Sequence, residues 1–462
     1  MMSSTLWKLT PKLRQEIYNY AKLQPTGVSL KDMVKFGPKP SAGTLFHASQ
    51  FVVQELPVRL AHRVKELEEL PYGLSDNLSI LKVKDWYSQS FEELTTLQPP
   101  KIDGELKELL YKNGSNDFHI PLQPSLPPEP TKIGPEKRIF EDDGLIIRKP
   151  RQHLHVPLLL DFTSSGIQRT KSYYIYAPSD IVYPAEVYNY NKLVTETLKK
   201  IKKRHDATVT TVARGVQEWK RSNKNLLIDS QIQNFLDAFY LSRIGIRMLI
   251  GQQIAINQDY SALNDDYVGI ICLNTNISDI VNDAIDSARF VCEEHYGLFE
   301  APKVQLYCPE ELNFMYVPGH LLHMLFETLK NSLRATVEHQ IKKYKDMDID
   351  DIKYPPIRII VAEGNEDITI KISDEGGGIA RSAIPLIWTY LYTTVDALPN
   401  VDPDVTKTDL RPPMAGYGYG LPLSRLYAKY FGGDLKLISM EGYGTDVYLH
   451  LNKLSSSSEP LP

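Results

Sequence analysis

Between His320 and Gln340, His323, Glu327, Asn331 and Arg334 recur at steps of four, four and three residues. Leu322, Leu325, Phe326, Leu329 and Leu333 recur on another face of the same segment. At 3.6 residues per turn this spacing predicts an amphipathic helix with the polar four gathered on one stripe. A carboxylate one turn from an amide oxygen suits proton abstraction by Glu327 from an attacking hydroxyl, with Asn331 ligating a magnesium ion that carries nucleotide phosphates. His323, one turn earlier, can orient Glu327. Taken alone, such a stripe is more often ordinary helix surface.

Three glycine-rich stretches follow. The segment Ile368 to Ile372 alternates as a half-buried strand and runs into Ser373-Asp374-Glu375-Gly376-Gly377-Gly378. An aspartate at a strand end can accept an adenine amine, and glycines permit close approach of a ligand; a plain tight turn is the alternative. Gly416, Gly418, Gly420 and Leu421 then open a helical segment, Pro422 to Tyr430, whose N-terminal amides could hold phosphates. Last, Gly442-Tyr443-Gly444-Thr445-Asp446 precedes a strand over Val447 to Leu451 and supplies a hydroxyl. Each motif is weak by itself, and their joint order is the strong signal.

In that order the four resemble the N, G1, G2 and G3 boxes of the histidine-kinase/Hsp90 ATPase superfamily. His323 to Glu338 and Gly416 to Phe431 resemble, more closely, the mitochondrial pyruvate dehydrogenase kinase family, of fungal type. Gln54 to Ala61 and Phe239 to Leu249 resemble that family's helical-domain signatures. The resemblance implies ATP and Mg²⁺ as cofactors, Glu327 as general base with His323 its neighbour, and Asn331 as the magnesium ligand. It implies adenine contacts at Asp374 and Thr445, with Lys330 and Arg334 near phosphate. Gly376, Gly378, Gly416, Gly418, Gly420 and Leu421 would shape the nucleotide loops, and Arg381 to Ala415 a lid.

The same resemblance implies a regulatory carboxylate pocket at His205, Arg243 and Arg247, the two arginines one helical turn apart and able to face one anion; pairing with carboxylates of the helical half is the alternative. Its substrate would be a serine of pyruvate dehydrogenase E1α, its docking partner the lipoyl domain of the E2 core, its assembly a homodimer and its compartment the mitochondrial matrix. The branched-chain 2-oxoacid dehydrogenase kinase is the nearest rival, although Tyr390 to Thr394 and Ser424 to Phe431 look more like the pyruvate enzyme. Superfamily membership also admits a histidine phosphorelay kinase or an ATP-driven clamp. His205-Asp206 imitates a phosphorelay opening but is followed by Thr210 where proline is usual, and a clamp's middle regions find no room after Leu451. An inactive scaffold is disfavoured because base and metal ligand are both kept.

These residues need elements to hold them. Apolar residues recur at helical steps from Leu13 to about Leu97, at Ala185 to Ile201, Val209 to Lys220 and Ile232 to Ile256, which predicts an N-terminal four-helix bundle. Proline clusters and short β-like runs such as Tyr173 to Tyr176 mark an inserted segment near 101–190. After Tyr267 a strand run Val268 to Leu273, a helix Ile280 to Tyr296 and strands at Val304 to Tyr307, Ile357 to Ala362 and Ile368 to Ile372 predict an α/β sandwich. The expected division is 1–265 helical, 266–454 nucleotide-binding and 455–462 tail.

Composition agrees with a soluble globular chain: 462 residues, 42% hydrophobic and 24% charged. A net charge of -5 gives no basic field for nucleic acid. Cys272, Cys292 and Cys308 form no CxxC pair, which argues against disulfides or a cysteine zinc site and fits a reducing compartment. No run reaches the roughly 20 apolar residues of a membrane span. Lys8, Lys12 and Arg14 with Ser3, Ser4 and Thr5, ahead of the first acidic residue Glu16, suit a transit-peptide remnant or a plain helix start. The departures from the family are Gln253 where histidine is frequent, a missing aromatic C-terminal extension, and the insertion, whose His153 and His155 could bind metal but are more often plain surface residues.

Overall fold

Short polar side chains set the helix starts. Thr10 accepts from the Leu13 amide ahead of Pro11, Ser29 and Asp32 form a reciprocal capping box, and Ser41, Asn77 and Asn276 cap the helices that follow them. The computed structural model describes residues 7–100, 172–223, 230–258, 266–309, 311–392, 418–453 and 459–461. Its N-terminal half is helical: α1 (Pro11–Tyr20), α2 (Leu30–Val34), α3 (Ala42–Glu68), α4 (Leu78–Thr95), α5 (Ala185–Arg204), α6 (Thr208–Ser222) and α7 (Ser230–Ile256). The 27-residue α3 packs on α1, α4, α5 and α7. Phe46, Phe51, Leu56, Tyr87, Phe91 and Phe239 are all but inaccessible in the core these helices enclose.

The C-terminal half is mixed. Strands β1 (Tyr267–Val268), β2 (Ile271–Asn276) and β4 (Asn313–Tyr316) form a small antiparallel sheet. A five-stranded sheet has the order β3 (Val304–Tyr307), β5 (Ile357–Glu363), β6 (Asp367–Asp374), β8 (Gly444–Asn452), β7 (Asp434–Met440). Only the β3–β5 pair is parallel. Helices α8 (Ile277–Tyr296), α9 (Pro318–Lys343) and α10 (Gly420–Tyr430) accompany these sheets; α9 packs on α8 and β6, and α10 on α9, α7 and β7.

Period two decides what faces the helices. Ile368, Ile370 and Ile372 are buried, and the next inward position of β6 is Asp374. On β8, Thr445, Val447, Leu449 and Leu451 point the same way. The register pairs Asp374 with Thr445. Two polar side chains are thus carried onto a buried face by the alternation that buries the isoleucines.

Three expectations change. The apolar run Val268 to Leu273 is a hairpin rather than one strand, because the chain turns at Gly269, where φ is +65°. The Gln252 side chain of α7 fills that turn, its amide donating to Val268 O at 3.1 Å and its Oε1 accepting from the Ile270 amide at 2.9 Å. Tyr173 to Tyr176 is not a strand: Tyr173 packs on Phe36 and Phe51, and the Ala177 amide donates to Thr44 Oγ1 at 3.0 Å, so α3 takes the place of a neighbouring strand. Strands β4 and β7 were not anticipated. His153, His155 and most of the 101–190 segment lie outside the described residues.

All three cysteines are free thiols. Among the described residues no helix is long and apolar enough to cross a membrane.

Leu333 of α9 is fully buried, whereas Leu193 of α5 is half exposed. Leu333→Ala should cost about 2–5 kcal/mol of stability in chemical denaturation, and Leu193→Ala no more than about 0.5 kcal/mol; equal losses would contradict the packing described.

Candidate active site

Helix α9 keeps Leu321, Met324, Leu325, Leu329 and Leu333 buried, leaving His323, Glu327, Asn331 and Arg334 partly exposed along one side. The Lys330 ammonium, also buried, lies over the Phe326 ring at 5.2 Å and donates to Glu327 Oε1 at 2.9 Å. The other oxygen, Oε2, sits against Gly420, the first residue of α10, so closely that a Cβ there would overlap it. No side chain caps α10: Tyr419 provides none. The first turn of α10, whose amides are those of Gly420 and Leu421 because Pro422 has none, and the positive end of the helix therefore lie beside the Glu327 carboxylate. Such a helix start can also receive phosphate oxygens.

Asp374 ends β6 on the covered face. Its Oδ1 accepts from the amides of Gly376 at 3.0 Å and Thr445 at 3.2 Å. Burial pushes its pKa above the usual carboxylate value, while these amides and the Ser332 hydroxyl of α9 pull it partly back. Gly378 has φ +69° and lies against the Met440 carbonyl, leaving no room for a side chain, so the loop is folded tightly onto the β7–β8 turn. Thr445 Oγ1 is 2.9 Å from Ser439 Oγ, which itself accepts from the Ile379 amide at 2.8 Å. Ser332 and Ser439 were not singled out from the sequence; lone serines carry no spacing signal, and only the fold brings them to Asp374 and Thr445.

His323 and His320 both pack against Tyr427 of α10, with ring centres 5.0 and 4.8 Å apart. Burial lowers the His323 pKa, opposed by the charge of Glu327, and pushes His320 down to about 3. His323 Nε2 is buried and has no hydrogen-bond partner among the described residues, and Glu327 acts on this ring through its charge. Asn331 stands one turn beyond Glu327, and Arg334 Nε donates to Glu338 Oε1 at 2.8 Å. Leu421 packs against the core behind α10, and Gly418 opens the described segment before it with φ +76°. Gly416 and positions 393–415 of the expected lid lie outside the described residues.

The structure also gathers the second expected group. His205, at the end of α5, is buried and stacked on Tyr87 with ring centres 4.4 Å apart and planes 5° apart. Its Nε2 is 2.9 Å from Ser90 Oγ, and burial brings its pKa down to about 3. Arg243 of α7 is buried and contacts the His205 carbonyl at 3.5 Å, and its Nε has no partner among the described residues. Arg247, one turn on, pairs with Asp206 at 3.0 Å. One arginine thus pairs with a carboxylate, while the buried one has none among the described residues.

Gln253 is also buried. Its Nε2 donates to Ser49 Oγ at 3.0 Å and its Oε1 accepts from the Tyr173 hydroxyl at 3.3 Å, so it ties α7 to α3 and to the described end of the 101–190 segment.

Comparison with known proteins matches residues 27–272 to the family described as mitochondrial branched-chain alpha-ketoacid dehydrogenase kinase. Residues 316–455 match the family described as histidine kinase-, DNA gyrase B- and HSP90-like ATPase. The chain is 42% identical to a mitochondrial pyruvate dehydrogenase (acetyl-transferring) kinase of Schizosaccharomyces pombe over 97% of its own length and 98% of that relative. It is 39% identical to the Arabidopsis thaliana kinase of the same name, covering 98% of each chain. It is 33% identical to isozyme 4 of the human mitochondrial kinase, over 97% of this chain and 86% of the relative.

Because His205 is held neutral down to about 3 in the folded state against an ordinary value of 6.5, the unfolded chain binds more protons between those values. Stability therefore falls as pH drops through that window. His205→Gln should flatten the pH dependence there by up to about 1.4 kcal/mol per pH unit, read from urea unfolding between pH 7 and 5. An unchanged slope would mean that the buried imidazole does not contribute.

Proposed function

The chain belongs to the family of mitochondrial pyruvate dehydrogenase (acetyl-transferring) kinases, and we propose that it is a protein-serine kinase. It moves the γ-phosphate of ATP to a serine of pyruvate dehydrogenase E1α and so inactivates that complex. The observation that carries this reading is the Glu327 carboxylate, held by Lys330 and set against the start of α10 at Gly420. A base and a phosphate-receptive helix end share one small volume there.

In this reading Asp374 accepts the adenine amine, with Thr445 beside it. The residues fit ATP: a buried carboxylate oriented by two amides, and glycine loops folded where side chains have no room. Gly376 and Gly378 frame the base, Gly416, Gly418, Gly420 and Leu421 the phosphates, and Lys330 and Arg334 lie toward them. Asn331 offers an amide oxygen, the hard ligand that Mg²⁺ takes, one turn from Glu327. A magnesium ion held there would supply positive charge to offset that of the phosphates. Glu327 takes the proton of the serine hydroxyl as its oxygen bonds to the γ-phosphorus, and the bond to the ADP oxygen breaks. His323, neutral and packed on Tyr427, stands one turn before Glu327 on the same stripe.

We assign residues 1–265 to a regulatory and lipoyl-docking domain built on a four-helix bundle of α3, α4, α5 and α7, interrupted near 101–190. Residues 266–454 form the kinase domain and 455–462 the tail. His205, Arg243 and Arg247 make the regulatory pocket, in which a small carboxylate such as pyruvate supplies the anion that buried Arg243 lacks. The outer face of the large sheet supports a homodimer: Ile360, Ile438 and Met440 are 43%, 60% and 65% exposed on it. The lipoyl domain of the E2 core is the docking partner, and the mitochondrial matrix the compartment.

The test offers labelled ATP and Mg²⁺ with pyruvate dehydrogenase and branched-chain dehydrogenase E1 side by side, each with its lipoyl carrier. Acid-stable label is expected on a pyruvate dehydrogenase serine. Glu327→Gln should lower transfer by about 10²-fold or more with nucleotide binding kept, and Asn331→Ala should weaken Mg-ATP binding. Label on branched-chain E1 would change the substrate, acid-labile label on a histidine of the chain would make it a phosphorelay kinase, and free phosphate alone a clamp.

A further inference from the structure

Glu459 is 6% exposed, in a socket made by four distant stretches of chain. Its Oε1 accepts from the Val28 amide at 3.0 Å and from Arg59 Nη2. Its Oε2 accepts from Arg59 Nη1 at 3.0 Å and from the Tyr430 hydroxyl at 2.5 Å. Four donors satisfy roughly the four lone-pair sites of a carboxylate. Arg59 is itself anchored, by Glu55 Oε1 at 3.1 Å and the Thr26 carbonyl at 2.7 Å. Gly245 of α7 completes the wall: a Cβ there would stand 2.9 Å from Glu459 Oε2 and 3.0 Å from Arg59 Nη1.

The socket joins the two halves. Thr26, Val28, Arg59 and Gly245 belong to the helical half, whereas Tyr430 is the last residue of α10. The first residue of α10, Gly420, abuts Glu327, and between them Tyr427 packs on His320 and His323. An 11-residue helix is a rod of about 16 Å. A shift at its Tyr430 end is therefore delivered to its Gly420 end. The bidentate pair with arginine gives the contact direction as well as strength, and removing one partner would strand the other charge inside the protein.

We infer that Glu459 is a positioning residue for phosphoryl transfer: the C-terminal segment is an intramolecular ligand whose carboxylate bolts α10 to the helical half and fixes Gly420 against Glu327. The link to transfer rests on the reading of Glu327 as the base; the bolt itself does not. A misplacement of about 1 Å at reacting groups can lower a rate by about 10²-fold, so loosening one end of α10 is enough to matter without unfolding the site.

The test compares the full chain, Glu459→Gln, Tyr430→Phe, their double variant, and a chain ending at Lys453 supplied with synthetic peptide 455–462 carrying either Glu or Gln at 459. Amide exchange along α10 is followed by mass spectrometry, with kcat at saturating ATP measured in parallel. Glu459→Gln should speed α10 exchange by about tenfold and lower kcat by about tenfold with little change in KM for E1. The double variant should be no worse than Glu459→Gln alone, and the Glu peptide, not the Gln peptide, should restore slow exchange and rate to the shortened chain. Unchanged α10 exchange in Glu459→Gln, equal rescue by both peptides, or faster exchange with an unaltered kcat would each overturn the inference. Should the shortened chain not fold, the full-length Glu459→Gln and Tyr430→Phe readings decide it. A parent chain that phosphorylates neither E1 would instead overturn the kinase reading, while exchange and peptide rescue would still decide the bolt.

Discussion

Glu327 and Gly420 meet with no space for a side chain between them, and much of the C-terminal half serves that meeting. A carboxylate at the face of one helix is placed at the uncapped start of another. The helix dipole stabilises negative charge there, at a helix start that no side chain of the described residues caps. For this to hold, α9 and α10 must be fixed to each other along their length. Tyr427 does so at mid-helix, wedged on His320 and His323, and Phe431 beyond the end stacks on His320. Both histidines are kept neutral by burial, which suits rings used as packing surface beside a carboxylate.

The sheet supplies the second fixed point by a simpler rule. Alternation that buries Ile368, Ile370 and Ile372 sends Asp374 inward as well, and the antiparallel register puts Thr445 opposite it. An ionised aspartate on that face would be costly without donors, so the amides of Gly376 and Thr445 are what make the position tolerable. The same donors orient the carboxylate, so this strand end holds its one polar residue with little freedom.

Local pattern made some of this legible and topology hid the rest. The stripe of α9 and the alternation of β5, β6 and β8 follow from spacing alone, because each buries one face against a continuous core. The broken strand at Gly269 escaped notice because the residue that caps its turn, Gln252, belongs to the preceding helix. Strand β7 buries Leu435 and leaves Lys436, Ile438 and Met440 open, so its pattern is that of a half-covered edge strand and is easily passed over in a sequence. Ser439 lies within that strand, and its contact with Thr445 exists only through β7–β8 pairing. Arg59 and Glu459 stand 400 positions apart, a separation over which periodicity carries no information.

Helix α7 is where these constraints converge. Its Asp237 accepts from the Tyr390 hydroxyl at 2.6 Å, and its Tyr240 ring packs on Tyr390 and Tyr419, which flank residues 391–418. One turn later come Arg243, Gly245 at the Glu459 socket, and Arg247; then Gln252 at the β1–β2 turn and Gln253 against Ser49 and Tyr173. Helix α7 is therefore largely apolar yet carries polar contacts along much of its length, to α3, the α5–α6 turn, the β1–β2 turn and Tyr390. Arg243 stands out among them because burial lowers its pKa and no carboxylate among the described residues answers it. A buried cation held chiefly by a carbonyl is an unstable arrangement unless an anion completes it. An anion bound at that point would act on the helix whose Gly245 walls the Glu459 socket and whose Asp237 and Tyr240 hold Tyr390 and Tyr419, so its effect would reach both places through α7 itself.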